Sequence, residues 1–240
     1  MDIHEFQDQL GIQFDNQDLL LQAVTHRSYI NEQADESLRD NERLEFLGDA
    51  VLDFLITGVL FERFPEMPEG ELTRLRAALV RTETLADVAI QCHIGEVLRM
   101  GRGEESSGGR LRRNNLCDGF EAFLGALYLD RGQQVVREFV MPLFLPLIEY
   151  ILAEGLHKDA RSMLQEWSQA QISTTPTYRV VMAVGPDHDK VFTVEVMIDE
   201  QVIAAGEGRS KQSAAQAAAR QALKRVEAGE LQLTGLVNGG

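Results

Sequence analysis

Hydrophobic positions in the first two thirds of the chain recur at helical spacing. Apolar residues follow one another every three or four positions through residues 19–24, 44–59, 72–90 and 120–129, which is the period of an amphipathic helix. Breaks are predicted at Pro65–Pro68 and at Gly101–Gly109, a glycine- and serine-rich segment that predicts a mobile surface loop. No strand-like alternation occurs before residue 150. The pattern therefore predicts a mostly helical, all-α domain.

The hydrophobic period changes in the last third of the chain. A helix is predicted around Ala160–Gln171, and apolar and polar residues then alternate through Phe192–Ile198, as in a half-buried strand. Tyr178–Val184 and the short Val202–Ala205 predict two further strands, and the alanine-rich Ser210–Val226 predicts a closing helix. This order predicts an α+β unit of the form α-β-β-β-α.

These patterns divide the chain into four segments. We place the helical domain at residues 1–152, a linker at 153–157, the α-β-β-β-α domain at 158–227 and a flexible tail at 228–240.

The negative charge lies almost entirely in the helical domain. The chain has a net charge of −15, of which residues 1–156 contribute −14, with 14 Lys+Arg against 28 Asp+Glu, whereas residues 157–227 hold nine of each. An acidic domain cannot attract phosphate through its average field. A nucleic-acid function would therefore require bound cations or a tethered helper domain.

Composition also indicates the compartment. No stretch approaches the roughly 20 apolar residues needed to cross a bilayer, and the N-terminal residues MDIHEFQDQL lack the basic and apolar regions of a signal peptide. Cys92 and Cys117 are too few for a disulfide framework and too isolated for a zinc site. We expect a cytoplasmic protein that does not bind membranes.

The segment Asn41–Ala50 carries the first group of acids. At roughly 100° per residue, Glu42, Glu45, Asp49 and Asp53 fall within about 80° of one another on a helix, opposite the apolar side chains. Carboxylates at this spacing repel one another unless a cation neutralises them. The pattern is compatible with either a solvated acidic face or a metal site.

A second acidic pair favours the metal site. Asp118 and Glu121 are three residues apart, among phenylalanines, leucines and small residues that let helices approach closely. These acids are therefore expected at a helix–helix contact, where buried charges need partners. Two acidic pairs on packed helices would form an oxygen-rich site suited to Mg²⁺, which can support phosphodiester hydrolysis.

These two segments resemble the signatures of the ribonuclease III family. Asn41–Ala50 resembles the family's main motif, and Asp118–Ala122 resembles its second acidic motif. The resemblance continues through Thr25–Tyr29, Pro68–Leu72, Arg76–Val80 and Gly125–Asp130, and it extends over about residues 10–226.

The resemblance implies roles for individual residues. Glu45, Asp118 and Glu121 would bind Mg²⁺, for which Mn²⁺ could substitute, and Asp49 and Glu121 would be catalytic. Glu42 and Glu69 match acids near the RNA or the dimer interface, although they are equally well explained as ordinary surface acids. His26 also matches the family but is expected to have a structural role. Cys117 stands where alanine is usual, a replacement of one small residue by another.

The α-β-β-β-α unit resembles a double-stranded RNA-binding domain. By position, Gln165 and Glu166 would meet one minor groove and His188 the next, while Arg209 and Lys211 would contact phosphates near the start of the last helix. Gln212 departs from the family, which usually has a lysine there. We therefore expect RNA binding that is weaker and less salt-dependent than in the family.

The carboxylates and the family resemblance together predict a magnesium-dependent endoribonuclease that cuts double-stranded RNA through a metal-activated water, and the resemblance implies that it works as a homodimer. The family implies 5′-phosphate and 3′-hydroxyl ends, a short 3′ overhang, and ribosomal and messenger RNA precursors as substrates. The alternative is a non-catalytic double-stranded RNA-binding protein, which would be expected to lack a site carboxylate; all four are present. A helical protein that binds protein partners through its acidic face would leave the second domain unexplained.

Overall fold

The computed structural model describes residues 1–33, 37–157, 159–185 and 190–230. The chain divides after His157 into two compact units, the first helical and the second a three-stranded sheet with helices, which confirms the predicted fold class. Of the predicted tail only residues 228–230 are described, and His188 lies outside the described residues. Among the helices of the described part, none is long and apolar enough to span a bilayer.

The first unit consists of nine α-helices and one 3-10 turn in its described part. They are α1 (Ile3–Leu10), α2 (Gln17–Ala23), α3 (Arg27–Ile30), α4 (Glu42–Arg63), α5 (Glu69–Val80), α6 (Thr82–Gln91), α7 (Ile94–Val97), α8 (Arg102–Ser106), the 3-10 turn (Gly109–Leu111) and α9 (Arg113–Ala153). The long α9 contains a break at Gly132, whose φ of 79° and ψ of 174° are not helical.

Two glycines bring α4 and α9 into backbone contact. A Cβ atom on Gly48 of α4 would lie 1.7 Å from the carbonyl oxygen of Glu121, and one on Gly125 of α9 would lie 2.1 Å from that of Leu44. Neither position leaves room for a side chain. This contact sets the distance between the helices that carry the two acidic pairs.

Aromatic side chains join the N-terminal helices to α9. Phe123 of α9 lies at the centre, with its ring centroid 5.7 Å from those of Phe6 and Phe14 and 5.4 Å from that of Phe139. Aromatic pairs at such separations contribute about 0.5–1.5 kcal/mol beyond their buried area. The N-terminal segment is thereby held against the same helix that carries Asp118 and Glu121.

The structure differs from the predicted elements in two places. The apolar pattern over residues 72–90 is interrupted at Arg81, whose backbone is extended (φ −67°, ψ 151°). The Thr84 hydroxyl donates a hydrogen bond to the Ala78 carbonyl at 2.8 Å and accepts one from Arg81 Nε at 3.1 Å. A side chain therefore satisfies a backbone carbonyl at this break. The pattern alone contains no signal for it, because the apolar spacing continues through both helices.

The second difference concerns the expected loop at Gly101–Gly109. Arg102–Ser106 form the short helix α8. The guanidinium of Arg110, just beyond the segment, donates to the carbonyl oxygens of Gly95 at 3.0 Å and Leu98 at 2.7 Å. A single long side chain therefore ties the segment to α7, which a composition-based prediction of a loop cannot anticipate.

The second unit consists of α10 (Ala160–Ile172), β1 (Thr177–Val184), β2 (Val191–Ile198), β3 (Gln201–Gly208) and α11 (Lys211–Glu227). The strands form an antiparallel sheet in the order β1-β2-β3, with Tyr178 opposite Val196 and Val194 opposite Gly206. A Cβ atom on Gly206 would lie 2.1 Å from the amide nitrogen of Ala218, so α11 packs directly on β3. The alanines of α11 permit this approach by being small.

The contact between α4 and α9 leads to the first prediction. Gly48→Ala should lower the free energy of unfolding by about 3 kcal/mol, because overpacking a close contact forces the backbones apart. Gly103→Ala is the control, since Gly103 is exposed on α8 and no atom lies within 4 Å of its Cβ position. That change should be neutral or should stabilise the helix by up to about 1 kcal/mol. Urea unfolding measures both, and equal midpoints for the two variants would contradict the assigned contact.

Candidate functional site

The packing of α4 against α9 brings the four predicted site carboxylates together. Glu45 and Asp49 lie one turn apart on α4, and Asp118 and Glu121 lie one turn apart on α9. We call these four residues the carboxylate cluster. Burial raises the pKa of Glu121 to about 8, and repulsion from Asp49, Glu45, Asp118 and Asp53 adds to the rise. The two helices thus place like charges close enough to oppose one another's ionisation.

The other members of the cluster are affected in the same direction. Burial raises the pKa of Glu45, and the charges of Asp118, Glu42 and Asp49 add to it. Asp49 is largely exposed, but partial desolvation by its surroundings raises the pKa of its carboxyl, and the charge of Asp53 adds to the rise. Burial also raises the pKa of Asp118, although nearby His26 opposes the rise. An arrangement that raises all four pKa values is unfavourable at neutral pH unless a cation balances the charge.

The residues present fit a divalent cation that prefers oxygen ligands. Glu121 is only 8% exposed, and its carboxylate accepts no hydrogen bond from any residue that the structure describes. Asp53 Oδ1 is buried and has no hydrogen-bond partner in the described part of the chain. Buried acceptors without donors are costly. Mg²⁺ takes oxygen ligands in proteins, usually one or two carboxylates together with retained waters, and the cluster offers such carboxylates.

Cys117 also belongs to this region. Its Sγ atom and one carboxylate oxygen each of Asp118 and Glu121 all lie within 4.8 Å of one another. Burial raises the pKa of this thiol, and the charges of Glu121, Asp118 and Glu45 raise it further. The interpretation that both cysteines are too isolated for a zinc site considered only the spacing between cysteines, so it did not anticipate that Cys117 lies beside two acids.

Glu42 and Glu69 lie at different places relative to the cluster. Glu42 is the first residue of α4, contributes to the shift in the pKa of Glu45, and pairs with Arg27 at 3.1 Å. Glu69 begins α5 and accepts a hydrogen bond from the Thr73 hydroxyl at 3.0 Å. Among the described residues, no contact brings Glu69 to the cluster.

His26 occupies a structural position at the start of α3. Its Nδ1 accepts from the Ser28 amide at 3.2 Å, which caps the helix, and lies 2.7 Å from the Ser28 hydroxyl. Its ring is close enough to Asp118 to oppose the rise in that group's pKa.

The predicted RNA-binding residues lie on two helices of the second unit. Gln165 and Glu166 are exposed on α10, and Lys211 and Gln212 are exposed in the first turn of α11. Ser210 caps α11 by accepting from the Ser213 amide at 3.1 Å, and Arg209 immediately precedes that cap.

Arg161 lies close to Lys211 and Gln212, although the sequence analysis did not single it out. It lines a shallow pocket of about 370 Å³ together with Lys211, Gln212 and Tyr178, and its guanidinium lies 4.7 Å from the centre of the Tyr178 ring. Arg161 is 50 residues from Lys211 in sequence. Their proximity depends on the packing of α10 against α11, so no local sequence signal reveals it.

An apolar stripe on α4 was also missed. Phe46, Phe54 and Phe61 are 80%, 65% and 73% exposed, and their spacing of eight and seven residues places them on one face of the helix. The phenylalanines were visible in the sequence, but the buried leucines of the opposite face dominate the helical pattern.

Comparisons with known proteins agree with both units. The family model described as Ribonuclease-III-like matches residues 16–148, and the double-stranded RNA binding motif matches residues 160–226. The chain is 47% identical to Ribonuclease 3 of Roseiflexus sp. (strain RS-1), over 95% of this chain and 97% of that protein. It is 45% identical to Ribonuclease 3 of Enterococcus faecalis, over 92% and 96%.

A solved structure resembles the first unit. The nuclease domain of ribonuclease III from Campylobacter jejuni matches with a TM-score of 0.55 and 37% identity, over 59% of this chain and 95% of that domain. The Campylobacter jejuni domain shows structural flexibility in a region involved in dimer formation.

The raised pKa of Glu121 leads to the second prediction. The pKa of Glu121 is higher in the folded chain than in the unfolded chain. Its contribution to the stability of the fold is therefore fully present below the unfolded pKa and is lost as the pH rises through the folded pKa of about 8. In chelator, Glu121→Gln should therefore melt above the unmodified chain at pH 9, by about 4–8 °C for a difference on the order of 2 kcal/mol. The gap should close near pH 5, where Glu121 is protonated in the folded state.

Glu138→Gln is the control for this measurement, because Glu138 is an exposed carboxylate on the same helix. Thermal melts at pH 5 and pH 9 without divalent cations provide the comparison. A gap for Glu121→Gln that is the same at both pH values, or that also appears for Glu138→Gln, would contradict the assigned repulsion.

Proposed function

The chain belongs to the ribonuclease III family of double-strand-specific endoribonucleases, and on this premise we propose that it cuts duplex RNA at the carboxylate cluster with Mg²⁺ as cofactor. The observation that carries this proposal is the convergence of Glu45, Asp49, Asp118 and Glu121, whose mutual repulsion a divalent cation would relieve. We assign the nuclease domain to residues 1–152, the linker to 153–157 and the RNA-binding domain to 158–227.

The four carboxylates have distinct proposed roles. Glu45, Asp118 and Glu121 hold Mg²⁺, or Mn²⁺ in its place, and Asp49 and Glu121 are the catalytic pair. When bound, such a cation lowers the pKa of water and stabilises charge on the leaving oxygen. Asp49 is exposed, so its carboxylate can orient a water molecule toward the scissile phosphate.

The products follow from which bond is broken. Water adds to phosphorus, the bond between phosphorus and the 3′-oxygen breaks, and that oxygen leaves with a proton. One strand then ends in a 3′-hydroxyl and the next begins with a 5′-phosphate.

The second unit supplies duplex affinity in this proposal. Gln165 and Glu166 meet one minor groove, the segment that contains His188 meets the next, and Arg209 and Lys211 contact phosphates between them. Arg161 joins Lys211 at the shallow pocket and adds a positive charge there. Structured precursors of ribosomal and messenger RNA in the cytoplasm are the proposed substrates.

The exposed stripe on α4 supports a homodimer. Phe46, Phe54 and Phe61 form an apolar surface that a second copy of the nuclease domain would cover. Two opposed clusters would cut the two strands at staggered positions and leave a short 3′ overhang. We assign Glu42 and Glu69 to the cleft or to the dimer interface, as the family resemblance implies. The alternative of a non-catalytic RNA-binding protein is not favoured, because no carboxylate of the cluster is missing.

The third prediction separates chemistry from binding. Glu121→Gln should abolish cleavage of long duplex RNA in Mg²⁺, because it removes a charge from the metal site, yet it should bind the duplex nearly as well as the unmodified chain in Ca²⁺. Excess chelator should abolish cleavage by the unmodified chain. Gel sizing and filter binding provide the two readouts, with Glu138→Gln as the control. Substantial cleavage by Glu121→Gln, or undiminished cleavage in chelator, would exclude the proposed mechanism.

The fourth prediction concerns the phosphate contacts of α11. Each phosphate neutralised by Lys or Arg adds roughly 0.7–0.9 to the slope of log affinity against log salt. Gln212→Lys should therefore tighten duplex binding and steepen this slope by about one unit, without moving the cleavage positions. Lys211→Ala and Arg161→Ala should each weaken binding and flatten the slope.

Binding of the full chain in Ca²⁺ over a range of salt concentrations measures these slopes. Arg179→Ala is the control, because Arg179 lies on β1 and pairs with Glu195 at 2.7 Å. Unchanged slopes for both Gln212→Lys and Lys211→Ala would place the phosphate contacts elsewhere.

A further inference from the structure

One potential metal ligand beside the carboxylate cluster, the Cys117 thiol, has no role in an oxygen-based mechanism. Cys117 is 6% exposed, directly precedes Asp118 and lies one helical turn before Glu121. Its sulfur is near both carboxylates, with all three potential ligand atoms within 4.8 Å of one another. The Thr82 side chain also lies close enough to the thiol to interact with it.

Cys92 provides the internal contrast. It is also buried, at the end of α6, but among the described residues it joins no group of potential metal ligands. Only Cys117 therefore combines a buried thiol with neighbouring carboxylates, one of which, Glu121, accepts no hydrogen bond in the described part of the chain.

The chemistry of this donor set differs from that of four carboxylates. Thiolate is a soft ligand that selects zinc-like ions, whereas magnesium prefers oxygen. Zinc binds sulfur at about 2.3 Å and carboxylate oxygen at about 2.0–2.2 Å, so its tetrahedral ligands lie roughly 3.6 Å apart. The three potential ligand atoms lie within 4.8 Å of one another. To reach a separation of roughly 3.6 Å, they would have to approach one another by about 1 Å.

We propose that Cys117, Asp118 and Glu121 form a binding site for a thiophilic divalent cation of the zinc class, which overlaps the carboxylate cluster and excludes the oxygen-preferring ion. As the sulfur–metal bond forms, the thiol releases its proton to solvent. Three protein ligands leave the fourth tetrahedral position open. Because Asp118 and Glu121 serve both ions, occupation by the thiophilic ion would inhibit RNA cleavage.

Cadmium is a direct probe of the site, because its bond to a thiolate gives an ultraviolet charge-transfer band. The reduced full chain should develop this band on addition of one Cd²⁺ per chain, and Cys92→Ala should do the same. Cys117→Ala should lack it, and Asp118→Asn should weaken Cd²⁺ binding by about 10–100-fold. A band that persists in Cys117→Ala, or that disappears in Cys92→Ala, would overturn the proposal.

The unmodified chain gives a second test that does not depend on the folding of a variant. Excess Mg²⁺ should shift the Cd²⁺ titration to higher concentration, because both ions use Asp118 and Glu121. A Cd²⁺ titration that Mg²⁺ does not move would show that the two sites do not overlap.

Inhibition connects the site to activity. At fixed Mg²⁺, the Zn²⁺ concentration that halves each protein's own cleavage rate should be at least about tenfold higher for Cys117→Ala than for Cys92→Ala. Equal values would overturn the inhibitory role. Only this last measurement rests on the proposed function: if the chain does not cleave RNA, the cadmium band still reports on the site.

Discussion

The backbone contact between α4 and α9 is the constraint on which the rest of the nuclease domain depends. Gly48 and Gly125 leave no space for a Cβ atom, so the two helices meet at a separation that ordinary side chains would prevent. This separation brings Glu45 and Asp49 to the acids of α9. If the helices lay further apart, each helix would carry a separate, hydrated pair of acids, and the four carboxylates could not surround one cation.

The close packing of α4 against α9 has an energetic cost, which is also the basis of the proposed function. The cluster raises the pKa of every member, and burial makes the largest contribution for each. The packing of apolar residues around α9 must offset this repulsion, since Phe120, Phe123 and Leu124 are almost fully buried beside the acids. The fold therefore holds the carboxylates close together against their mutual repulsion, and a cation bound among them would gain affinity from the same arrangement.

Sequence patterns predict the features that repeat locally. The helical period identifies the buried face of α4, and the spacing of Glu45, Asp49, Asp118 and Glu121 follows from positions along single helices. Features that depend on tertiary contacts cannot be predicted from these local patterns. At the break at Arg81, the Thr84 side chain accepts a hydrogen bond from the Arg81 side chain. Arg161 approaches Lys211 through the packing of α10 on α11. Cys117 has the charge of Glu45 as a neighbour only because α4 lies against α9.

The two domains solve the problem of binding a polyanion in different ways. The nuclease domain carries a charge of −14 over residues 1–156, so its average field opposes RNA, and only charge placed within the cluster can reverse this locally. The second domain is neutral over residues 157–227, so its attraction also depends on placement: Arg161 and Lys211 converge at the start of α11 although acids elsewhere balance them. Net charge is therefore a poor guide to this protein's substrate. In the second domain the packing of α10 against α11 brings cationic side chains together, whereas in the nuclease domain the packing of α4 against α9 holds carboxylates whose charge a bound cation would have to neutralise before RNA could approach.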